Sequence, residues 1–155
     1  MNSGYKLSSS SKPLKVGKTK QARQSLKESS IRGIVVHGKH LGSSLGFPTA
    51  NIIPPKEHPP VIPNGVYLVS VMLREKEFFG LCNIGYRPTI GGTHLVIEVN
   101  ILDFSDDIYG EEISIRVIRA IRKEKKFRDL EQLVNQIKLD KAKAVKFLSA
   151  LNKNE

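Results

Sequence analysis

Several features that define other protein classes are scarce in this 155-residue chain. It contains no tryptophan, four tyrosines, six phenylalanines and a single cysteine, Cys82. One cysteine excludes an internal disulfide, and no Cys/His cluster has the spacing of a zinc site. No apolar run approaches the roughly 18 residues that a membrane-spanning helix needs, so no membrane partner is expected. These absences predict a reducing, cytoplasmic setting and a small, buried Cys82.

Acidic residues are also scarce, and the formal net charge of +10 raises the question of nucleic-acid binding. The excess is concentrated at the N-terminus, because residues 1–30 hold seven Lys and Arg residues against one acid. This stretch is rich in serine and poor in large apolar residues, so we predict a flexible basic tail over 1–30 and one domain over 31–155. An organellar targeting segment, an added leader and the end of an upstream domain all remain open for the tail.

Short β-rich runs separated by turn residues follow residue 30. Between residues 65 and 73, for example, Tyr67, Val69 and Val71 recur at every second position, as in a strand with one buried face. Glycine pairs and a proline-rich stretch separate the runs and exclude long helices before residue 122. Five strands are predicted: Ile31 to His37, Gly65 to Leu73, Phe78 to Ile84, Leu95 to Phe104 and Glu112 to Ile121.

The last segment has helical periodicity. Apolar residues recur at spacings of three, four and seven between Phe127 and Leu151, with Asp129 near the start and lysines toward the end, as the helix dipole favours. We predict an amphipathic helix with one break near Asp140. Strands followed by a helix, without alternation of the two, indicate an antiparallel barrel with the helix packed against it, rather than a parallel α/β sheet.

Two features carry the candidate chemistry. Glu98 is a lone acid in an apolar strand-like run, where a carboxylate can take a proton from a substrate alcohol. The segment from Gly38 to Asn51 is glycine-rich, and its Pro48 fixes the approach to Thr49. A hydroxyl and an amide on such a turn can hold a hard cation and phosphate oxygens. The pair suggests phosphoryl transfer to a hydroxyl, although the composition of the segment alone fits an ordinary loop equally well.

The chain resembles riboflavin kinase in a series of spaced motifs between about residues 32 and 148. The motifs are Gly33-x-Val35-Val36-x-Gly38, Gly42-x-x-Leu45-Gly46-Phe47-Pro48-Thr49-Ala50-Asn51-Ile52, Asn64-Gly65-Val66-Tyr67, Asn83-Ile84-Gly85-x-Arg87-Pro88-Thr89, Glu98-Val99, Leu102-x-Phe104, Asp107-x-Tyr109-Gly110 and Arg122-x-Glu124-x-x-Phe127. The resemblance is closest to the kinase module of bacterial bifunctional FAD synthetases. An adenylyltransferase domain in a longer parent chain therefore stays open as a partner.

The resemblance implies a six-stranded antiparallel Greek-key barrel with a C-terminal helix, which converts riboflavin and ATP to FMN and ADP. It implies Mg²⁺, with Mn²⁺ or Zn²⁺ as alternatives, held by Thr49 and Asn51, and Glu98 as the base for the ribityl 5′-hydroxyl. Arg122 and Phe127 would hold the flavin. The implied residues of the ATP and magnesium site are Gly38, Lys39, Gly42, Gly46, Pro48, Thr49 and Asn51.

The chain departs from the family pattern at two positions, and the first departure bears on nucleotide affinity. Ser43 stands where many relatives carry a cation, a role that Lys39 or His40 would have to fill, and Asn100 stands where the bacterial module often has histidine. Two rival functions remain: a non-catalytic flavin-binding or regulatory module, and a basic nucleic-acid-binding barrel. A nucleic-acid-binding barrel needs aromatic side chains on which bases can stack, and this chain lacks such a platform. Small molecules are therefore the expected partners, and no nucleic-acid partner is expected.

Overall fold

A computed structural model of the protein describes residues 30–38, 44–57 and 60–153. Residues 1–29 of the predicted tail lie outside this range, as do the candidate nucleotide-site residues Lys39 and Gly42. The strands are β1 (Ser30–Val36), β2 (Ala50–Ile53), β3 (Gly65–Leu73), β4 (Lys76–Thr89), β5 (Gly92–Ile101) and β6 (Glu112–Arg122), and the helix is α1 (Leu130–Lys153).

The six strands close into a barrel in the order β1-β2-β5-β4-β3-β6, and every neighbouring pair is antiparallel. Strands β3, β4 and β5 form a meander, and β6 returns to pair with β3, which is the Greek-key arrangement. The fold class predicted from the sequence is therefore confirmed. The five strands predicted from periodicity are all present, whereas β2 was missed.

The barrel interior is filled by alternate residues of each strand. Tyr67, Val69, Val71 and Leu73 of β3 all point inward, as the period-two pattern predicted. Cys82 is also interior and fully buried, and this burial raises the pKa of its thiol to about 12. The thiol therefore stays protonated and acts as a small apolar side chain, as expected.

Helix α1 packs against the outer wall of β3, β4 and β6. Its residues Ala144 and Leu148 join a second apolar cluster with Val66, Leu68 and Leu81 of the barrel. The helix runs without interruption, so the predicted break near residue 140 is wrong. No helix in the described parts of the chain is long and apolar enough to cross a membrane.

The start of α1 is fixed by side-chain capping. The Oδ1 atom of Asp129 accepts a hydrogen bond from the backbone N–H of Gln132 at 2.9 Å. In return, the Gln132 side chain accepts from the backbone N–H of Arg128 at 3.3 Å. These bonds satisfy backbone N–H donors that have no partner within the helix. This explains why an aspartate at position 129 marks the start of α1.

Candidate active site

The strand register brings three polar side chains together on the outer wall of the barrel. Asn51 of β2 is the direct cross-strand partner of Glu98 on β5, and Glu98 is in turn the partner of Asn83 on β4. Residues paired in this way have Cβ atoms about 4.5–5.5 Å apart. All three residues are half-buried, while their chain neighbours Ile97 and Val99 fill the interior. We call Asn51, Glu98 and Asn83 the polar row.

Gly38 covers one end of the polar row. It follows β1, where Val36 pairs with Asn51, and a side-chain carbon added to Gly38 would overlap the Asn51 amide and lie 2.6 Å from its Oδ1 atom. Only glycine permits this approach, because any Cβ would displace the amide. The structure thus places two predicted site residues, Gly38 and Asn51, directly against each other.

Thr49 lines a pocket whose lining does not include the three residues of the polar row. The β2–β5 ladder begins at the Ala50–Val99 pair, so Pro48 and Thr49 directly precede it. Asn100 of β5 donates a hydrogen bond from Nδ2 to the carbonyl oxygen of Pro48 at 2.7 Å. Gly46, at the turn before this segment, has a φ of +83°, which favours glycine.

The pocket has a volume of about 90 Å³ and lies at one end of the barrel. Its lining combines Pro48 and Thr49 with interior strand residues and with the loop over residues 104–109. That loop is tied to β1, because Gly110 N–H donates to the Val35 carbonyl at 2.8 Å and the rings of His37 and Tyr109 stack with centroids 3.6 Å apart. Thr49 therefore lines a concave site next to the loop over residues 104–109.

A carboxylate-centred network lies on the other side of the row. Glu124, in the segment between β6 and α1, accepts hydrogen bonds from Arg87 Nη1 at 2.7 Å and from Asn64 Nδ2 at 3.1 Å. The bond from Arg87 lowers the pKa of Glu124. Gly85, two residues after Asn83, leaves room for these groups, since an added Cβ would lie 3.1 Å from Glu124 Oε1. The network fixes the β6–α1 segment to β4, next to the polar row.

Arg122, predicted to contact the flavin, is engaged with the helix. Its Nε atom donates to both carboxylate oxygens of Asp140, at 2.8 and 3.0 Å, and its Nη1 atom donates to the Lys123 carbonyl at 3.1 Å. Its guanidinium carbon lies 5.7 Å from the centre of the Phe127 ring. The structure therefore brings Arg122 and Phe127 together and adds an ion pair to Asp140 that was not predicted.

The residues of the site that were not assigned a role from the sequence include Asn83, Asn100 and Asp140. Asn100 is two residues from Glu98, and side chains at this spacing leave the same face of a strand. The sequence therefore offered a signal for Asn100. Asn83 and Asp140 had no such signal, because their partners are distant in sequence. Of the predicted residues that are described, Gly38, Asn51 and Glu98 are brought together. Pro48 and Thr49 lie just before Asn51 in the chain, Gly46 is at the turn before Pro48, and Arg122 and Phe127 lie at the β6–α1 end.

The oxygen donors of Thr49 and Asn51 are of the kind that suits a hard cation shared with a phosphorylated substrate. No group of three His, Cys, Asp or Glu residues in the described ranges could hold a metal ion. The hydroxyl of Thr49 and the amide oxygen of Asn51 are oxygen donors, which Mg²⁺ prefers, and this ion is usually held by few protein ligands together with substrate phosphates. With a carboxylate alongside, the arrangement suits phosphoryl transfer to an alcohol.

Comparison with known proteins agrees with this chemistry. The family profile described as "Flavokinase: Riboflavin kinase" matches residues 26–148. A bifunctional riboflavin kinase/FMN adenylyltransferase of Bacillus subtilis (strain 168) is 40% identical over 126 residues, which are 79% of this chain and 40% of that protein. An RNA-binding riboflavin kinase of the same strain is 44% identical over 111 residues, 71% of this chain and 47% of that protein. The chain thus spans less than half the length of these two relatives.

Solved structures give the same result for the fold. The riboflavin kinase of Trypanosoma brucei superposes with a TM-score of 0.55 at 30% identity, over 77% of this chain and 79% of that one. A Streptococcus pneumoniae structure titled macrolide-efflux protein superposes with a TM-score of 0.68 at 37% identity, over 73% of this chain and 37% of that one. The chain belongs to the riboflavin kinase (flavokinase) family.

Proposed function

We propose that this protein is a riboflavin kinase, which transfers the γ-phosphoryl group of ATP to the 5′-hydroxyl of riboflavin and releases FMN and ADP. The observation that carries the proposal is the direct pairing of Asn51 with Glu98 in a member of this family. The pairing puts an oxygen ligand for a cation next to a carboxylate able to accept a proton. A non-catalytic flavin binder has no need of both groups.

Glu98 accepts the proton of the 5′-hydroxyl as the oxygen attacks the terminal phosphorus. Phosphoryl transfer needs little covalent participation from a protein, so positioning and charge stabilisation supply most of the acceleration. Thr49 and Asn51 hold the divalent ion, for which we propose Mg²⁺ before Mn²⁺ or Zn²⁺, and orient the ATP phosphates. When bound, the ion neutralises charge on the phosphoryl group.

The register also suggests how the flavin lies. On β3, Val66 pairs with Asn83 on one side and with Arg122 on the other, so a line of paired residues runs from the polar row to Arg122, with α1 packed over it at Val66. Four inter-strand spacings of about 4.8 Å separate the two ends of this line. We place the ribityl end at Glu98 and the ring toward the apolar surface near Phe127. Arg122 contributes the N–H groups that remain beyond those bonded to Asp140 and Lys123.

Other expectations stay predictions. The similarity to an RNA-binding riboflavin kinase leaves the predicted absence of a nucleic-acid partner unconfirmed. The bifunctional relatives support an adenylyltransferase domain as a partner in a longer parent chain. The cytoplasmic setting expected from the sequence also stays a prediction.

Chromatography for FMN tests the proposed reaction. The full chain is incubated with riboflavin, ATP and Mg²⁺, and we expect FMN and ADP in equal amounts. Omission of ATP and addition of a chelator serve as controls, and each should abolish FMN formation. If riboflavin binds but no FMN forms with Mg²⁺, Mn²⁺ or Zn²⁺, the chain is a flavin-binding module and the kinase assignment is wrong.

Gly38→Ala should impair the use of Mg-ATP while the fold persists. The added methyl group would push the Asn51 amide aside, and a displacement of about 1 Å at a site can cost on the order of a hundredfold in rate. Steady-state kinetics should show at least about a tenfold loss in kcat/KM for Mg-ATP by this reasoning. Unchanged kinetics would show that the close contact between Gly38 and Asn51 has no functional role.

Gly91→Ala is the matched control for this change. Gly91 has a φ of +92° in the β4–β5 turn, and nothing lies within 4 Å of an added Cβ. The substitution should cost about 1–2 kcal/mol through the left-handed backbone alone. Thermal unfolding should therefore shift for Gly91→Ala with its kinetics unchanged, whereas Gly38→Ala should change the kinetics.

A further inference from the structure

Asn100 connects the strand that carries Glu98 to the segment that carries Thr49. It lies two residues after Glu98 on β5, so both side chains leave the outer face of the same strand. Its amide donates to the Pro48 carbonyl at 2.7 Å, across 52 positions of sequence. Because the β2–β5 ladder starts only at Ala50, this bond holds the segment at a point that the ladder does not reach.

The bond orients the peptide group between Pro48 and Thr49. The proline ring fixes φ of Pro48, but rotation of the following peptide plane remains free and determines where the Thr49 hydroxyl points. A hydrogen bond to the Pro48 carbonyl restricts that rotation. Since ligands of a functional site must be held within about 0.5 Å, loss of this restraint should affect Thr49 more than any other predicted ligand.

We propose that Asn100 is a positioning residue that holds Thr49 in place for the cation and the ATP phosphates. The inference rests on the proposed kinase function. It assigns two tasks to one rigid strand: β5 carries the base at Glu98 and, through Asn100, sets the position of the cation-binding segment relative to that base. Asn100 touches neither substrate nor the reacting atoms in this role.

Asn100→Leu tests the proposal, because leucine has nearly the same shape and lacks the N–H donor. Titration calorimetry with Mg-ADP, in the absence of riboflavin, should show about five- to tenfold weaker binding, the factor expected for one lost hydrogen bond. In steady-state assays the KM for Mg-ATP should rise by a similar factor, and the KM for riboflavin should stay within about twofold of wild type.

Asn100→His provides the conservative rescue. The Nδ1 atom of histidine is attached to Cγ, as the amide nitrogen of asparagine is, so its N–H can reach the same carbonyl. Mg-ADP affinity should return to within about twofold of wild type if the donor is what matters. Asn135→Leu is the matched control, since Asn135 is exposed on α1, and it should change neither affinity nor KM.

The outcomes separate this inference from the proposed function. If wild-type protein binds Mg-ADP but makes no FMN, the kinase proposal fails, while the calorimetric comparison still decides the role of Asn100. The positioning role is overturned if Asn100→Leu binds Mg-ADP like wild type. It is equally overturned if the KM values for both substrates rise together, or if Asn100→His restores nothing, because each result indicates a general structural effect.

Discussion

Replacing Glu98 with glutamine should lower the turnover of riboflavin phosphorylation at least about a hundredfold, the lower end of the usual contribution of a general base. Glutamine keeps the size of the side chain and its place between Asn51 and Asn83, but it cannot accept the proton of the ribityl hydroxyl. Riboflavin affinity should largely persist, since the carboxylate acts on the reacting oxygen and not on the flavin ring. Turnover is measured by FMN chromatography and affinity by fluorescence titration.

The control for this substitution is Glu112→Gln on β6. Glu112 is exposed and pairs with Arg32 at 3.5 Å, an interaction that contributes about 0–1 kcal/mol at a surface. Its removal should leave turnover unchanged. Near-normal turnover of Glu98→Gln would exclude Glu98 as the base, and the pairing of Asn51 with Glu98 would then lose its mechanistic meaning.

The strands were predictable wherever a long run alternates. In β5, Ile97, Val99 and Ile101 lie inside the barrel and Glu98 lies on the outer face, as the alternation of side chains along a strand requires. Strand β2 was missed because it has only four residues and follows a glycine-rich segment with Pro48. A run this short contains too few alternations to be distinguished from a loop, and it becomes a strand because β1 and β5 pair with it on both sides.

The geometry of the site depends on the register of the paired strands, which decides which residues lie opposite each other. The sequence does not specify this register directly. Thr49, Asn51 and Glu98 were proposed from residue types and from the family resemblance. That Asn51 opposes Glu98, and not a residue on the other face, follows only from the pairing of β2 with β5. A shift of one residue would turn Glu98 toward another partner, so no local pattern predicts the polar row.

Arg122 shows more clearly which contacts could not be predicted from the sequence. Its predicted contact with the flavin came from the resemblance, and the structure adds a partner on the helix, Asp140. A break in the helix was predicted near Asp140, and the structure shows none. Asp140 is instead buried, and its charge is balanced by Arg122 of the barrel. No sequence pattern near Asp140 identifies Arg122 as its partner.

Removing Asp140 should therefore destabilise the protein strongly. Asp140 is 2% exposed, and its carboxylate accepts hydrogen bonds from Arg122 and from Gln136 Nε2 at 3.0 Å. Asp140→Ala leaves the Arg122 cation, whose side chain is 18% exposed, without its counter-charge. Breaking a buried pair in this way costs about 3–5 kcal/mol, so the midpoint of thermal unfolding should fall by roughly 10 °C.

The double variant Arg122→Met/Asp140→Leu distinguishes the ion pair from general packing. Replacing both charges with apolar side chains of similar volume is often close to neutral, so its free energy of unfolding should lie within about 1 kcal/mol of wild type. If Arg122 also holds the flavin, the KM for riboflavin should rise in this stable variant, whereas a purely structural arginine would leave it unchanged. A loss below about 1 kcal/mol for Asp140→Ala, the range of an exposed pair, would show that the contact does not hold α1 on the barrel.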